Sequence, residues 1–94
     1  MIIIDKDLIG KVIHYYDKIG VAVVKLTKDI KIGDKVKFEK NGTSFEQVIE
    51  SMQLEHKPVD EARTGEEVAI KVSQVAKAGT NLYLTIDSRQ FENV

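Results

Sequence analysis

At 94 residues the chain holds a single domain with a core of modest size. Its 43% hydrophobic and 31% charged residues fit a globular domain and exclude a disordered one. The absence of cysteine excludes disulfides, a thiolate nucleophile and a zinc ribbon, and a formal net charge of -1 excludes the strongly basic, nonspecific class of nucleic-acid binder.

Met1 leads into Ile2-Ile3-Ile4, an apolar run too short for a signal peptide or a membrane span and followed at once by charges. The expectation is a soluble, cytoplasmic protein without a membrane partner. Ile2 to Ile4 reads as a short first strand or a staple to the sheet. Leu8 to Tyr16 is rich in β-branched and aromatic residues and reads as strand, with Gly10 marking a bulge or a close backbone approach. Tyr15 and Tyr16 are adjacent, so on a strand they point to opposite faces. One belongs to the core and the other is free to stack on a base or anchor a protein contact. Asp17 to Gly20 is a turn, and Val21 to Leu26 is a nearly continuous apolar strand.

A polar connection ending in Gly33-Asp34 precedes Lys35 to Glu39, where charged and apolar residues alternate as in a strand with one wet face. Asn41-Gly42 is the strongest local signal, since it suits the two central positions of a type I′ hairpin. Asn41-Gly42-Thr43 is also a glycosylation sequon, but without a secretion signal the turn reading prevails. Phe45 to Glu55 has strand composition with a bulge. Pro58 ends that run and biases Lys57 to an extended backbone. Val59 to Ala62 reads as one helical turn broken at Gly65. Glu67 to Val72 alternates cleanly, Ala78 to Asn81 turns, and Leu82 to Ile86 is the last strand. The domain is expected to span residues 1–86, with residues 87–94 a frayed tail.

Six or seven short strands, without a helical stripe, predict an all-β fold. A closed barrel best removes exposed edges in so small a sheet. The expectation is a six-stranded antiparallel β-barrel with one short helical turn.

No phosphate loop, dinucleotide fingerprint or nucleophile elbow is present. His14 and His56 stand far apart, outside any metal-ligand spacing. Asp5 with Asp7, or Asp60 with Glu61, could pair as carboxylates, but charges flanking short strands are ordinarily solvated. The chain therefore reads as a binding module and not an enzyme, with no metal and no cofactor. Its candidate binding residues are Gln53, His56, Lys57, Arg63 and Glu66, gathered on a loop and turn, together with Tyr15. The only arginines are Arg63 and Arg89, so any RNA contact is local.

Gly10-Lys11-Val12, Gly20 with Val21 to Leu26, Ile32-Gly33-Asp34-Lys35-Val36, Val48 to Met52 and Val59 to Val68 follow one another with a familiar order and spacing. Together, from about Gly10 to Tyr83, they resemble the second-domain β-barrel of translational GTPases, the elongation factor Tu and initiation factor class. The resemblance implies the barrel of that class, without its GTPase domain. It also implies contact with tRNA, the ribosome or a translation complex. Glu66 falls where tRNA-carrying members have a glutamate near the terminal adenosine, and Gln53 stands where they carry another acidic residue. Barrels appended to collagenase-type peptidase proteins that act on or near RNA modification are also similar. The alternative reading is a protein-interaction module that docks a separate GTPase or RNA-modifying enzyme.

Overall fold

The computed structural model describes residues 8–85. The expected strand at Ile2 to Ile4, the end of the last strand at Ile86 and the tail over 87–94 lie outside the described residues.

Ten strand segments, all paired antiparallel, and no helix make up the described residues. Eight of them form one sheet. β1 (Leu8–Tyr16) lies between β10 (Asn81–Leu84) and β2 (Val21–Leu26). Outward from β10 come β4 (Lys35–Lys40) and then β5 (Thr43–Val48) at one edge. Outward from β2 come β9 (Glu67–Lys71), β6 (Met52–Leu54) and β7 (Lys57–Val59) at the other edge. A separate ribbon pairs β3 (Ile30–Lys31) with β8 (Glu61–Ala62).

This strand order forces the sheet to curl. β5 and β6 are consecutive in sequence but six strand positions apart in the sheet. In a flat sheet that separation is about 29 Å. The link from Val48 to Met52 reaches at most about 14 Å when fully extended. Curling the sheet brings its two ends together and places one set of alternating side chains inside. Val36 and Phe38 from β4, Val24 and Leu26 from β2, Val68 and Ile70 from β9, and Leu82 from β10 are all buried there. Phe38 and Phe45 face each other across β4 and β5, their rings stacked at 4.9 Å.

The curl stops short of a closed barrel, which corrects the closed six-stranded expectation. No ladder joins β5 to β6 or β7. The reason lies in the link. Ile49 gives its N–H to the Asp34 carbonyl and accepts the Gly33 N–H, both at 2.9 Å, so it is committed to the β3–β4 turn. A side chain spans the gap instead. Gln47 on β5 donates through Nε2 to the Lys71 carbonyl (2.9 Å), and its Oε1 accepts the Ser73 amide (2.8 Å).

The helical turn expected over Val59 to Ala62 is also absent. Val59 ends β7, and Glu61 and Ala62 pair with Lys31 and Ile30. The Asp60 carbonyl accepts the Ile32 amide at 2.9 Å. A single isolated helical turn fixes several residues for one hydrogen bond. The ribbon instead buries Ile30 and Ala62 against the core. The Asn41-Gly42 hairpin forms as expected, with both residues at positive φ and Lys40 opposite Thr43.

Gly10 is the point of closest approach. A Cβ there would lie 2.6 Å from Val24 Cγ1 and 2.7 Å from the Lys25 carbonyl oxygen. The backbone oxygen cannot step aside without disturbing the β1–β2 ladder. Gly10→Ala is therefore expected to destabilise the domain by about 1–3 kcal/mol, the usual cost of overpacking. Urea denaturation checks this: the midpoint falls while the slope stays unchanged.

A candidate binding groove on the outer face of the sheet

The outer face of β1, β2, β9 and β6 carries an open groove of about 670 Å³. A single extra residue in β1 decides what lines it. Val12 pairs with Val24, but His14 pairs with Val23, so Ile13 is a bulge. The bulge shifts the alternation by one position. Val12 is buried, Ile13 and His14 both face out, Tyr15 packs against the core, and Tyr16 is left outside. Tyr16 is 47% exposed and its ring lies 4.3 Å from that of His14.

The turn after β1 completes this end. Ile19 and Gly20 both donate their amides to the Tyr16 carbonyl, and the turn leaves Ile19 60% exposed on the rim of the groove. The floor comes from Val21 and Val23 on β2 and Ala69 on β9, with Val23 directly opposite Ala69. Gln53 on β6 sits beside Ala69 and borders the floor. Charged groups stand at the ends of β9, Glu67 at one and Lys71 at the other. Glu67 lies 4.0 Å from Lys25 Nζ, and both side chains are more than half exposed, so the pair is weak.

The hairpin between β6 and β7 supplies the remaining wall. Leu54 pairs with Lys57, so Glu55 and His56 form a two-residue turn with φ of 54° and 68°. This is the geometry usually filled by Asn-Gly. Here two larger residues hold it, and both side chains line the groove. The turn carries no glycine or asparagine, so no sequence signal marked it.

Of the residues proposed from sequence, Gln53 and His56 meet at this groove. Tyr15 lies on the core side, and its neighbour Tyr16 takes the groove position. Lys57 is exposed on edge strand β7, outside the groove lining. Arg63 and Glu66 belong to a different feature, a turn built around Gly65 at φ 91°. Glu66 Oε1 accepts the Arg63 amide at 2.7 Å, and the Glu66 amide donates back to the Arg63 carbonyl. Sequence reasoning left the face of Tyr15 and Tyr16 open and named Tyr15, and it did not name the groove residues Ile19, Glu55, Glu67 and Lys71 or the apolar floor. The bulge that exposes Tyr16 left no mark beyond a run of β-formers.

Asp29 fastens the Gly65 turn from outside. Its Oδ1 accepts both the amide and the hydroxyl of Thr64, at 2.8 and 3.0 Å. The Thr64 amide, then its hydroxyl, hold the Asp29 carboxyl below its ordinary value of 3.8; slight shielding from water opposes them, and the Arg63 charge adds to them.

Among the described residues, no three or more His, Cys, Asp or Glu side chains are placed to hold a metal ion. Among the same residues, no helix is long and apolar enough to cross a membrane.

No family model matches the chain. Two solved structures of one domain align closely with it. Both are of the C-terminal domain of a Geobacillus thermoleovorans protein classed with the U32 peptidases. One covers 92% of this chain and 100% of that domain at 25% identity with a TM-score of 0.80. The other, a selenomethionine variant, covers 83% and 99% at 27% identity with a TM-score of 0.77. This chain is similar to the C-terminal domain of a peptidase-class protein. An uncharacterised protease of Methanocaldococcus jannaschii is also similar, 39% identical over 77 residues, which is 81% of this chain and 19% of the relative. The chain thus spans about a fifth of that protease's length. These matches overturn the reading as an elongation-factor or initiation-factor barrel. The glycine-punctuated motifs behind that resemblance are those any small curled sheet needs at its turns.

Two outcomes are expected. Asp29 has a depressed folded pKa, so its contribution is present above the unfolded value and is lost as the pH falls through the folded one. Hydrogen exchange at the Thr64 amide should therefore accelerate below about pH 4, relative to neighbouring strand amides, and Asp29→Asn should remove that dependence. His56→Gly should relieve the left-handed backbone and raise the urea midpoint by about 0.5–1 kcal/mol equivalent, after the entropy cost of glycine.

Proposed function

We propose that this chain is a non-catalytic protein-interaction domain of the kind carried by U32 peptidase-family proteins. On this reading it binds a polypeptide partner through the outer groove and performs no reaction by itself. The observation that carries the proposal is the outward turn of Tyr16 and Ile19 beside the half-buried Val21 and Val23. Aromatic and aliphatic side chains on a polar-rimmed surface supply most of the energy at protein interfaces. The likeness to the C-terminal domain of the Geobacillus protein supports the setting, since that domain is one part of a longer peptidase-class chain. The partner proposed is accordingly the remainder of a peptidase-family protein, in place of a GTPase, tRNA or the ribosome.

Charge favours protein over nucleic acid. A net charge of -1 and the acidic Glu55 and Glu67 on the groove rim oppose phosphate.

Isothermal titration of the chain against the catalytic region of a U32 peptidase-family protein from the same organism tests the proposal. A one-to-one complex of about micromolar affinity is expected, weakened roughly tenfold by Tyr16→Ala. An absence of heat or complex at about 100 μM, with binding of oligoribonucleotides at low salt instead, would overturn it.

A further inference from the structure

The groove is electrically polarised along its length. Glu55 and Glu67 stand at one end and Lys71 at the other, with Val23 and Ala69 between. The register places them. Gln53 pairs with Ala69, so Glu55, in the turn just past the end of β6, lies toward the Glu67 end. Ser51 lies two residues back from Gln53 and accepts the Lys71 amide at 3.2 Å. The two charged ends are four strand residues apart, about 13 Å. Neither Glu55 nor Lys71 makes a side-chain hydrogen bond or ion pair among the described residues.

We infer that the groove takes an extended polypeptide segment of the pattern basic-x-apolar-x-acidic. The inference rests on the protein-interaction reading and names its ligand. An extended chain places residues i, i+2 and i+4 on one face, spanning the same distance of about 13 Å. A lysine or arginine at one end meets Glu55 and Glu67. An acidic side chain at the other meets Lys71. The central apolar residue rests on Val23 and Ala69 against the Tyr16 ring. The Gln53 amide, at the edge of this floor, offers both a donor and an acceptor to the peptide backbone. Nothing on the outer face fixes chain direction, because the strands beneath already pair with one another. The charge pattern, and not the polarity of the peptide, is therefore what the groove reads. A phosphate backbone would meet two carboxylates at one end, and a purely apolar segment would leave Glu55 and Lys71 uncompensated.

Three capped pentapeptides test this by ¹⁵N–¹H NMR titration of the whole chain. Ac-Lys-Thr-Leu-Thr-Glu-NH2 carries the matched charges, and its two counterparts carry lysine at both ends or glutamate at both ends. The matched peptide is expected to bind with a dissociation constant of about 1 mM, shifting the amides of Val23, Gln53 and Ala69. The counterparts should bind at least about threefold more weakly, and salt should narrow the difference. Lys71→Glu makes both ends acidic and should switch the preference to the dilysine peptide. Glu55→Gln, a second exposed substitution, should weaken both lysine-bearing peptides and leave the diglutamate peptide no weaker. Equal binding of all three peptides would sink the inference, as would shifts confined to the edge of β5 or no shift at about 5 mM. If the peptidase partner binds and perturbs residues outside the groove, this inference fails while the interaction role stands. If the matched peptide binds but the partner does not, the groove assignment survives and the partner is another polypeptide.

Discussion

One inserted residue in β1 governs both faces of this domain. Ile13 has no partner opposite it on β2, and its insertion rotates the rest of the strand by half a repeat. Without it, alternation from the buried Val12 would send His14 and Tyr16 inward and leave Tyr15 outside. With it, the smaller patch of core beyond Val12 receives Tyr15, and the outer face receives a tilted His14–Tyr16 pair. Val12 stays fully satisfied on the other side, donating to the Thr80 carbonyl and accepting the Gly79 amide, both at 2.8 Å. The bulge therefore costs little in backbone hydrogen bonds, and it also bends the strand, as the curl of the sheet requires.

The curl is completed by side chains where the ladder runs out. Gln47 satisfies a carbonyl and an amide of the chain leaving β9. Each of these would otherwise face the seam between the ends of the sheet. A glutamine can do this because it carries a donor and an acceptor on one planar group. Leaving the seam open spares β5 and β7 the distortion that a full ladder would demand, at the cost of two free edges. Pro58 and Lys57 blunt one of them, since proline offers no amide and lysine resists burial between strands.

The sequence made the local elements legible and hid the long-range ones. Lys35 to Glu39 and Glu67 to Lys71 alternate because one face of each is wet, and the structure buries Val36, Phe38, Val68 and Ile70 accordingly. Asn41-Gly42 marks its own hairpin, and Gly10 marks its close approach. Three features had no local mark. Sheet closure depends on where Ile49 sends its hydrogen bonds, which no window of residues reveals. The stretch from Val59 to Ala62 has helix-tolerant residues, but its β8 portion pairs with Ile30-Lys31, about thirty positions earlier. The phase of Tyr15 and Tyr16 was open because a bulge of one residue preserves composition while inverting the face. The same lack of global information explains the misplaced family. Turn glycines and short apolar runs recur across small β folds, and the match along most of the chain, in sequence and in superposition, is what distinguishes them.

The turn at Glu55 and His56 shows how the site is held at some expense to backbone comfort. Two consecutive non-glycine residues at positive φ are unfavourable on their own. They persist because both flanks are fixed. Met52 is buried and paired with Val59 on one side and Ile70 on the other, and Leu54 closes the hairpin against Lys57. With β6 only three residues long, a two-residue turn is the shortest way to reverse the chain while keeping that register. Glycine and asparagine would fit the backbone better but would remove a carboxylate and an imidazole from the groove rim. A long side chain in the left-handed region is displayed away from the hairpin's own ladder, free of the neighbours that would pair with it on a regular strand. The strain and the unpaired charge at Glu55 therefore have one origin. The geometry that disfavours the residue is the one that presents it at the acidic end of the groove, opposite Lys71.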